Sequence, residues 1–204
     1  EQIYRTFSPP EPVLRSWPGP GDMVVSVPAS GAGLEIRDRQ GRLINTITPE
    51  VPVANIERVI ASPDGLRLAT IDKDRNAQLW DIISGRALGP PIRSTWWKRV
   101  GFTTDAASLL IGSAEDREFS VYDAWSGHRR RSIRHGVDDA VGPPQVFNRK
   151  GSAGLSLSHN YAIDGKSTSA LHAVDLNRLQ SPVEQLVPVA GQRGGVISDN
   201  GDSF

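Results

Sequence analysis

The chain has no cysteine among its 204 residues, so neither a disulfide nor a thiolate-held metal can form within it. That absence separates reducing from oxidising compartments only weakly; a cytoplasmic setting is the expectation, with the periplasm left open. Net charge is lacking too, since 23 Lys and Arg stand against 23 Asp and Glu. No global field therefore recruits nucleic acid or an anionic membrane, and an electrostatic partner must be held by a local patch. No run of about 18 apolar residues occurs, so no membrane-spanning helix is expected. Glu1, Gln2 and Ile3 lack the basic-then-apolar layout of a signal peptide. The first residue is not Met, and the expectation is an N-terminus processed or cut from something longer.

What the chain does have is turn-formers. With 20 Gly, 15 Pro and 38% hydrophobic residues, it is long enough for a core and favours an all-β architecture. A self-similar pattern organises it. Placing Trp80-Asp81 under Tyr122-Asp123 finds Arg37-Asp38 and Val174-Asp175 at comparable places, with the Asp residues 43, 42 and 52 positions apart. A period in the forties, with a turn Gly soon after most of these Asp residues, marks a radial repeat of four-stranded sheets.

In the best-preserved unit, 58–61 reads as a short buried strand. Pro63-Asp64-Gly65 reads as a tight turn, because Pro presets φ and Gly tolerates positive φ. Strands then follow at 66–71 and 77–81, separated by a polar loop at 72–76, and a turn at Ile83-Ser84-Gly85 leads into an outer strand from Arg86. The next unit repeats this with strands at 99–102, 108–111, 119–123 and 129–133, a turn around Asp105 and a charged loop at 115–118. Upstream, 23–27, 34–38 and 43–47 fall into the same order. Downstream, 145–148 precedes 155–158 and 170–175, which pair across a long loop at 159–169. Residues 194–201 read as the first strand and turn of a fifth unit.

Ser62-Pro63-Asp64-Gly65, Leu68-Ala69-Thr70, Asp74 and Leu79-Trp80-Asp81 in one register make the chain resemble the WD-repeat β-propeller family. The resemblance covers roughly residues 13 to 204 and implies four-stranded antiparallel blades at 13–48, 53–92, 96–134 and 141–190, with the start of a fifth at 194–204. The family often carries Gly-His between blades, its His bonded in a chain to the blade's Asp, Ser or Thr, and Trp. Here Pro52 and Arg93 stand at about those places, so Asp74, Thr70 and Trp80 are expected to form only part of such a network. Residues 2–7 alternate like a strand before the Pro-rich link at 9–12. In the family an N-terminal strand commonly completes the last blade, which makes 1–12 a candidate for that role. It also makes the chain a piece of a larger ring, or one whose missing blades come from another subunit.

In such blades, the loops from outer to next inner strand and those joining second and third strands share one face. That face would carry residues 72–75, 93–98, 115–118, 134–142 and 159–169. Trp96, Trp97, Lys98 and Arg99 are its first candidates for binding a partner, since large aromatics and Arg are enriched where binding energy concentrates. The alternative is that Trp97, standing at the entry to an inner strand, packs between blades. The run Arg129-Arg130-Arg131, with Arg134, could grip phosphate or acidic side chains through charge-assisted contacts, and Arg117 in the charged loop is a further candidate for partner contact. On an outer strand, though, such charge also blocks edge-to-edge pairing. Asp74 and Asp116 resemble catalytic carboxylates, but their matching positions favour a structural role in fixing loops. Asp64, Gly65, Asp81, Asp105, Tyr122 and Asp123, like Trp80, belong to the repeat. The four His residues at 128, 135, 159 and 172 lack metal-ligand spacing. No Gly-x-Ser-x-Gly elbow occurs, and Gly191 to Gly195 lacks the Lys and helix of a phosphate loop.

The favoured function is a non-catalytic module that binds a protein or peptide inside a larger scaffold, sensor or effector protein, with no cofactor. Turn phrases such as Ile83-Ser84-Gly85-Arg86 resemble repeats of multidomain bacterial proteins, in which the propeller often serves as a regulatory sensor. A nucleic-acid-binding propeller using the 129–134 region is disfavoured by the zero net charge. A channel enzyme would need polar groups where the inner strands offer mainly Val59, Ile60, Val100, Phe102, Val146 and Phe147. Because four blades leave open sheet edges, native mass spectrometry is expected to show association or further blades. A stable, lone monomer of 22.1 kDa with full β-structure would contradict this.

Overall fold

The computed structural model describes residues 8–19, 21–93, 100–113, 118–134, 146–147, 153–161, 167–175 and 184–189. The sixteen strands of the described residues lie in four four-stranded antiparallel sheets, each built from strands consecutive in the chain. The first holds β1 (Val13–Pro18), β2 (Val24–Pro28), β3 (Leu34–Arg37) and β4 (Leu43–Ile47), and the second β5 (Ile56–Ala61), β6 (Arg67–Asp72), β7 (Ala77–Asp81) and β8 (Ala87–Ile92). The third holds β9 (Val100–Phe102), β10 (Ser108–Ser113), β11 (Glu118–Asp123) and β12 (Arg129–Arg134), and the fourth β13 (Val146–Phe147), β14 (Ala153–Tyr161), β15 (Ser167–Asp175) and β16 (Glu184–Val189). The chain divides into two compact units, 1–93 with the first two sheets and 94–204 with the others. The N-terminal strand expected at 2–7 and the fifth unit expected at 194–204 lie outside the described residues.

Within the first unit the core forms where the two sheets face each other. Side chains alternate across a strand, so Val25, Val27, Leu34 and Ile36 share one face of the first sheet. Leu68 and Trp80, directly opposed across β6 and β7, share a face of the second with Val59. Ile56 and Ile82 close this cluster. Polar bonds bind the sheets together at the rim: the Arg15 guanidinium donates to the Ile56 carbonyl at 2.8 Å, and the Asn45 amide donates to the Ile82 and Ile83 carbonyls at 2.8 and 2.9 Å. The approach at Asn45 explains Gly85. Its φ is +69°, and a Cβ there would come within 3.1 Å of the Asn45 amide and 3.3 Å of the Thr46 carbonyl oxygen.

The outer strand β8 contains Pro90 and Pro91, which have no N–H to offer an incoming strand, and this blunts the edge. Gly89, at φ +71°, lies where the pairing of β8 with β7 shifts register.

Two loops differ in extent from what the sequence pattern suggests. Glu118 is the first residue of β11 and pairs with Arg134, so the charged loop is shorter than 115–118. The long loop expected at 159–169 is mostly strand: β14 and β15 stay in unbroken register from the Ala153–Asp175 pair to the Tyr161–Ser167 pair, with His159 opposite Ser169. The insertion lengthens a hairpin. Ladder hydrogen bonds are made by the backbone whatever the side chain, so a polar run such as His159-Asn160 conceals a strand from pattern reading.

Leu34→Ala and Ile36→Ala, which empty the core between the first two sheets, are expected to cost about 2–5 kcal/mol each. Leu43→Ala, on an exposed side chain, should stay within about 0.5 kcal/mol. Chemical denaturation of the three variants checks this order, and equal losses would contradict it.

Candidate functional site

The Asp residues that mark the repeat close turns. Asp81 Oδ1 accepts the Ser84 N–H at 2.6 Å. Asp123 Oδ1 accepts the N–H groups of Trp125 at 2.9 Å and Ser126 at 2.8 Å, and Asp38 Oδ1 those of Gln40 at 2.9 Å and Arg42 at 3.0 Å. Cations reinforce the turns. Arg42 Nε reaches Asp38 at 2.7 Å, and Arg130 Nε reaches Asp123 at 3.0 Å with its terminal nitrogen on the same oxygen. Partial desolvation pushes Asp123 upward, but the Arg130 guanidinium and the turn N–H groups outweigh it and hold the carboxyl at about 2. The Ser84 N–H, the largest influence on Asp81, likewise lowers that group, with the Arg67 charge adding to it. Asp175's side chain lies outside the described residues.

The turns entering β6 and β10 use a second device, repeated almost atom for atom. The Ser62 hydroxyl donates to Asp64 at 2.6 Å and accepts the Arg67 N–H at 3.0 Å; Thr103 donates to Asp105 at 2.5 Å and accepts the Ser108 N–H at 3.0 Å. Gly65 sits at φ +80° and Ala106, its counterpart, at φ +58°. Arg67 is wholly buried and ion-paired with Asp64. Desolvation raises the Asp64 pKa, but hydrogen bonds from Ser62, Leu66 and Arg67 bring the net shift downward.

Between β6 and β7 the carboxylate that clamps the loop is Asp72, not the Asp74 that its repeat position suggested. Asp72 is buried and accepts the Asn76 N–H at 2.7 Å and the Asn76 side-chain amide at 2.9 Å, whereas Asp74 is exposed. The Trp80 indole N–H donates to the Thr70 hydroxyl at 2.9 Å. In the first sheet Arg37 takes the place of Trp80, its guanidinium held by Glu35 at 2.8 Å and by the Gly41 carbonyl at 3.0 Å. In the third, Tyr122 takes it, opposite Leu109.

The proposed partner-binding surface is described only in part. Trp96, Trp97, Lys98, Arg99, Arg117 and the loop residue Asp116 lie outside the described residues, as does the side chain of Arg134. On β12, Arg129 is exposed and opposes Tyr122, while Arg131 is half-buried and opposes Val121. Arg130 is the bulged residue between them and turns its charge onto Asp123. The run is thus divided, with the Arg130 guanidinium held locally by Asp123.

A cavity of about 300 Å³ opens in the first unit, between the connector at 48–51 and the strand surfaces of β6, β7 and β8. Thr70, Asp72, Gln78 and Trp80 line its inner wall, Glu50 its connector side, and Arg86 its far end. No sequence signal marks it, because it arises where the link between two sheets folds over the second. Among the described residues no group of three or more His, Asp or Glu is placed to hold a metal ion, and no helix is long and apolar enough to cross a membrane.

No family model matches the chain, and no curated protein matches it. Among solved structures it is similar to one described as the crystal structure of the eukaryotic initiation factor, at 16% identity and a TM-score of 0.61, over 88% of this chain and 45% of that one. It is also similar to Kuenenia stuttgartiensis hydrazine synthase, at 15% identity and a TM-score of 0.52, over 81% of this chain and 47% of that one. The chain thus spans about half the length of these structures, and at such identities the likeness concerns the fold alone.

Because the Asp123 pKa lies below its ordinary value in the folded protein, its contribution to stability is full above about pH 4. It is lost as the pH falls through about 2. Asp123→Asn should therefore cost about 1 kcal/mol at pH 7 and flatten the acid limb of the stability profile between those values. An unchanged acid limb would assign acid sensitivity elsewhere.

Proposed function

We propose that the chain is part of a WD-like β-propeller that acts as a non-catalytic module for binding a protein or peptide. The observation that carries this reading is the use made of the carboxylates. Asp38, Asp64, Asp81 and Asp123 are all shifted downward and tied to turn N–H groups or Arg. A general acid or base needs a pKa near the working pH, and these groups lie on the opposite side of their ordinary value. They serve to make the turns rigid. A rigid frame holds variable loops in fixed relation, so little ordering entropy is lost on binding. The four consecutive four-stranded sheets support the propeller reading, in which further blades come from additional sequence or from another subunit. We place the module in a larger scaffold or sensor protein of bacterial type, in the cytoplasm, and assign partner contact to Trp96, Trp97, Lys98, Arg99, Arg117, Arg129, Arg131 and Arg134.

Pull-down with the wild type against Trp96→Ala and Arg129→Ala is expected to recover a defined protein partner that the variants lose or bind at least about fivefold more weakly. Partners unchanged in both variants would remove that surface. A salt series separates the nucleic-acid alternative, for which binding should fall by orders of magnitude between about 50 and 200 mM salt. A shallow response supports the protein partner.

A further inference from the structure

We propose that the cavity beside β7 is a side-chain pocket that takes the cationic end of a Lys or Arg from an extended peptide; this rests on the reading of the chain as a peptide-binding module. The chemistry follows from which polar groups in its wall remain available. The Trp80 N–H is engaged by Thr70, so Trp80 offers its ring. Both hydrogens of the Gln78 amide nitrogen have carbonyl acceptors, Leu79 and Gly89, each at 3.0 Å, which turns the Gln78 oxygen into a free acceptor. Each Asp72 oxygen accepts one hydrogen bond from Asn76 and keeps a second lone-pair site. Glu50 borders the same space from the connector and brings a carboxylate to it.

Acceptors therefore dominate one end of the cavity, where the remaining side-chain donors are the Thr48 hydroxyl and the second Asn76 amide hydrogen. Arg86 borders the other end, because Ala87 pairs with Trp80 while Ile92 pairs with Ala77. An ammonium or guanidinium matches the acceptor end, and its methylene stem would lie along Trp80 and Pro91, as long cationic side chains do on apolar surface. The volume of about 300 Å³ is at the low end for small-molecule sites and suits one long side chain.

The test uses the full chain, labelled with 15N, and four acetylated, amidated hexapeptide pools whose third residue is Lys, Arg, norleucine or Glu. Saturable shifts of the Trp80 indole and Gln78 side-chain amide signals are expected with the Lys and Arg pools. Norleucine, which keeps the stem and loses the charge, should bind at least about fivefold more weakly, and Glu should not bind. Glu50→Gln, on an exposed side chain, should weaken the Lys and Arg pools about threefold or more. Asp72→Asn, which retains an oxygen for the Asn76 N–H, should weaken them further, with an unchanged amide spectrum reporting intact folding. Equal binding of the norleucine pool, or shifts confined to other residues, would overturn the pocket. In the latter case peptide still binds and the module reading stands. If the chain captures no protein partner and none of the pools produces a shift, both readings fail.

Discussion

A four-stranded sheet has two faces, and a chain that makes such sheets from apolar strands must cover them. The first two sheets show how this constraint organises the structure. Leu34 and Ile36 of one and Leu68 and Trp80 of the other meet in a shared core, and every residue of β6 is buried. Burying apolar area at roughly 25 cal/mol per Å² makes this contact, rather than any single hydrogen bond, the main source of stability in the unit. The lack of room for a side chain at Gly85 and the polar ties at Arg15 and Asn45 follow from bringing the sheets close together.

The turns answer the same need on a smaller scale. A short strand reverses direction within four or five residues, and its N–H groups lose their ladder partners there. Carboxylates fill that role at Asp38, Asp81 and Asp123, and hydroxyl–carboxylate pairs fill it at Ser62–Asp64 and Thr103–Asp105. Ala106 shows that position outranks residue type: it adopts the left-handed backbone of Gly65 at a strain cost of about 1 kcal/mol because the surrounding bonds demand that turn. Charge is organised locally for the same reason, and a chain with no net charge still places a wholly buried guanidinium, Arg67, beside Asp64.

Two features stand apart from the repeat. The connector at 48–51 belongs to no strand, yet by folding over the second sheet it creates a recess with acceptors gathered at one end. The β12 arginines resemble an anion site in one dimension and are divided in three, because the bulge turns Arg130 onto Asp123.

Much of the architecture was legible in the residues alone. The alternation of Val25 with Val27 and of Leu34 with Ile36, the Pro63-Asp64-Gly65 and Ser84-Gly85 turns and the recurring Asp determine strands and reversals, because these depend on backbone preferences and local hydrogen bonds between near neighbours. The extension of β14 and β15 through His159 and Ser169 was hidden, since backbone pairing leaves no mark on polar side chains. Tertiary structure alone decided that Asp72 and not Asp74 clamps its loop, that Arg130 faces Asp123, and that Glu50, Asp72, Gln78 and Trp80 border one cavity. Each of these depends on which atoms meet after distant segments pack, and a linear spacing carries no record of that distance.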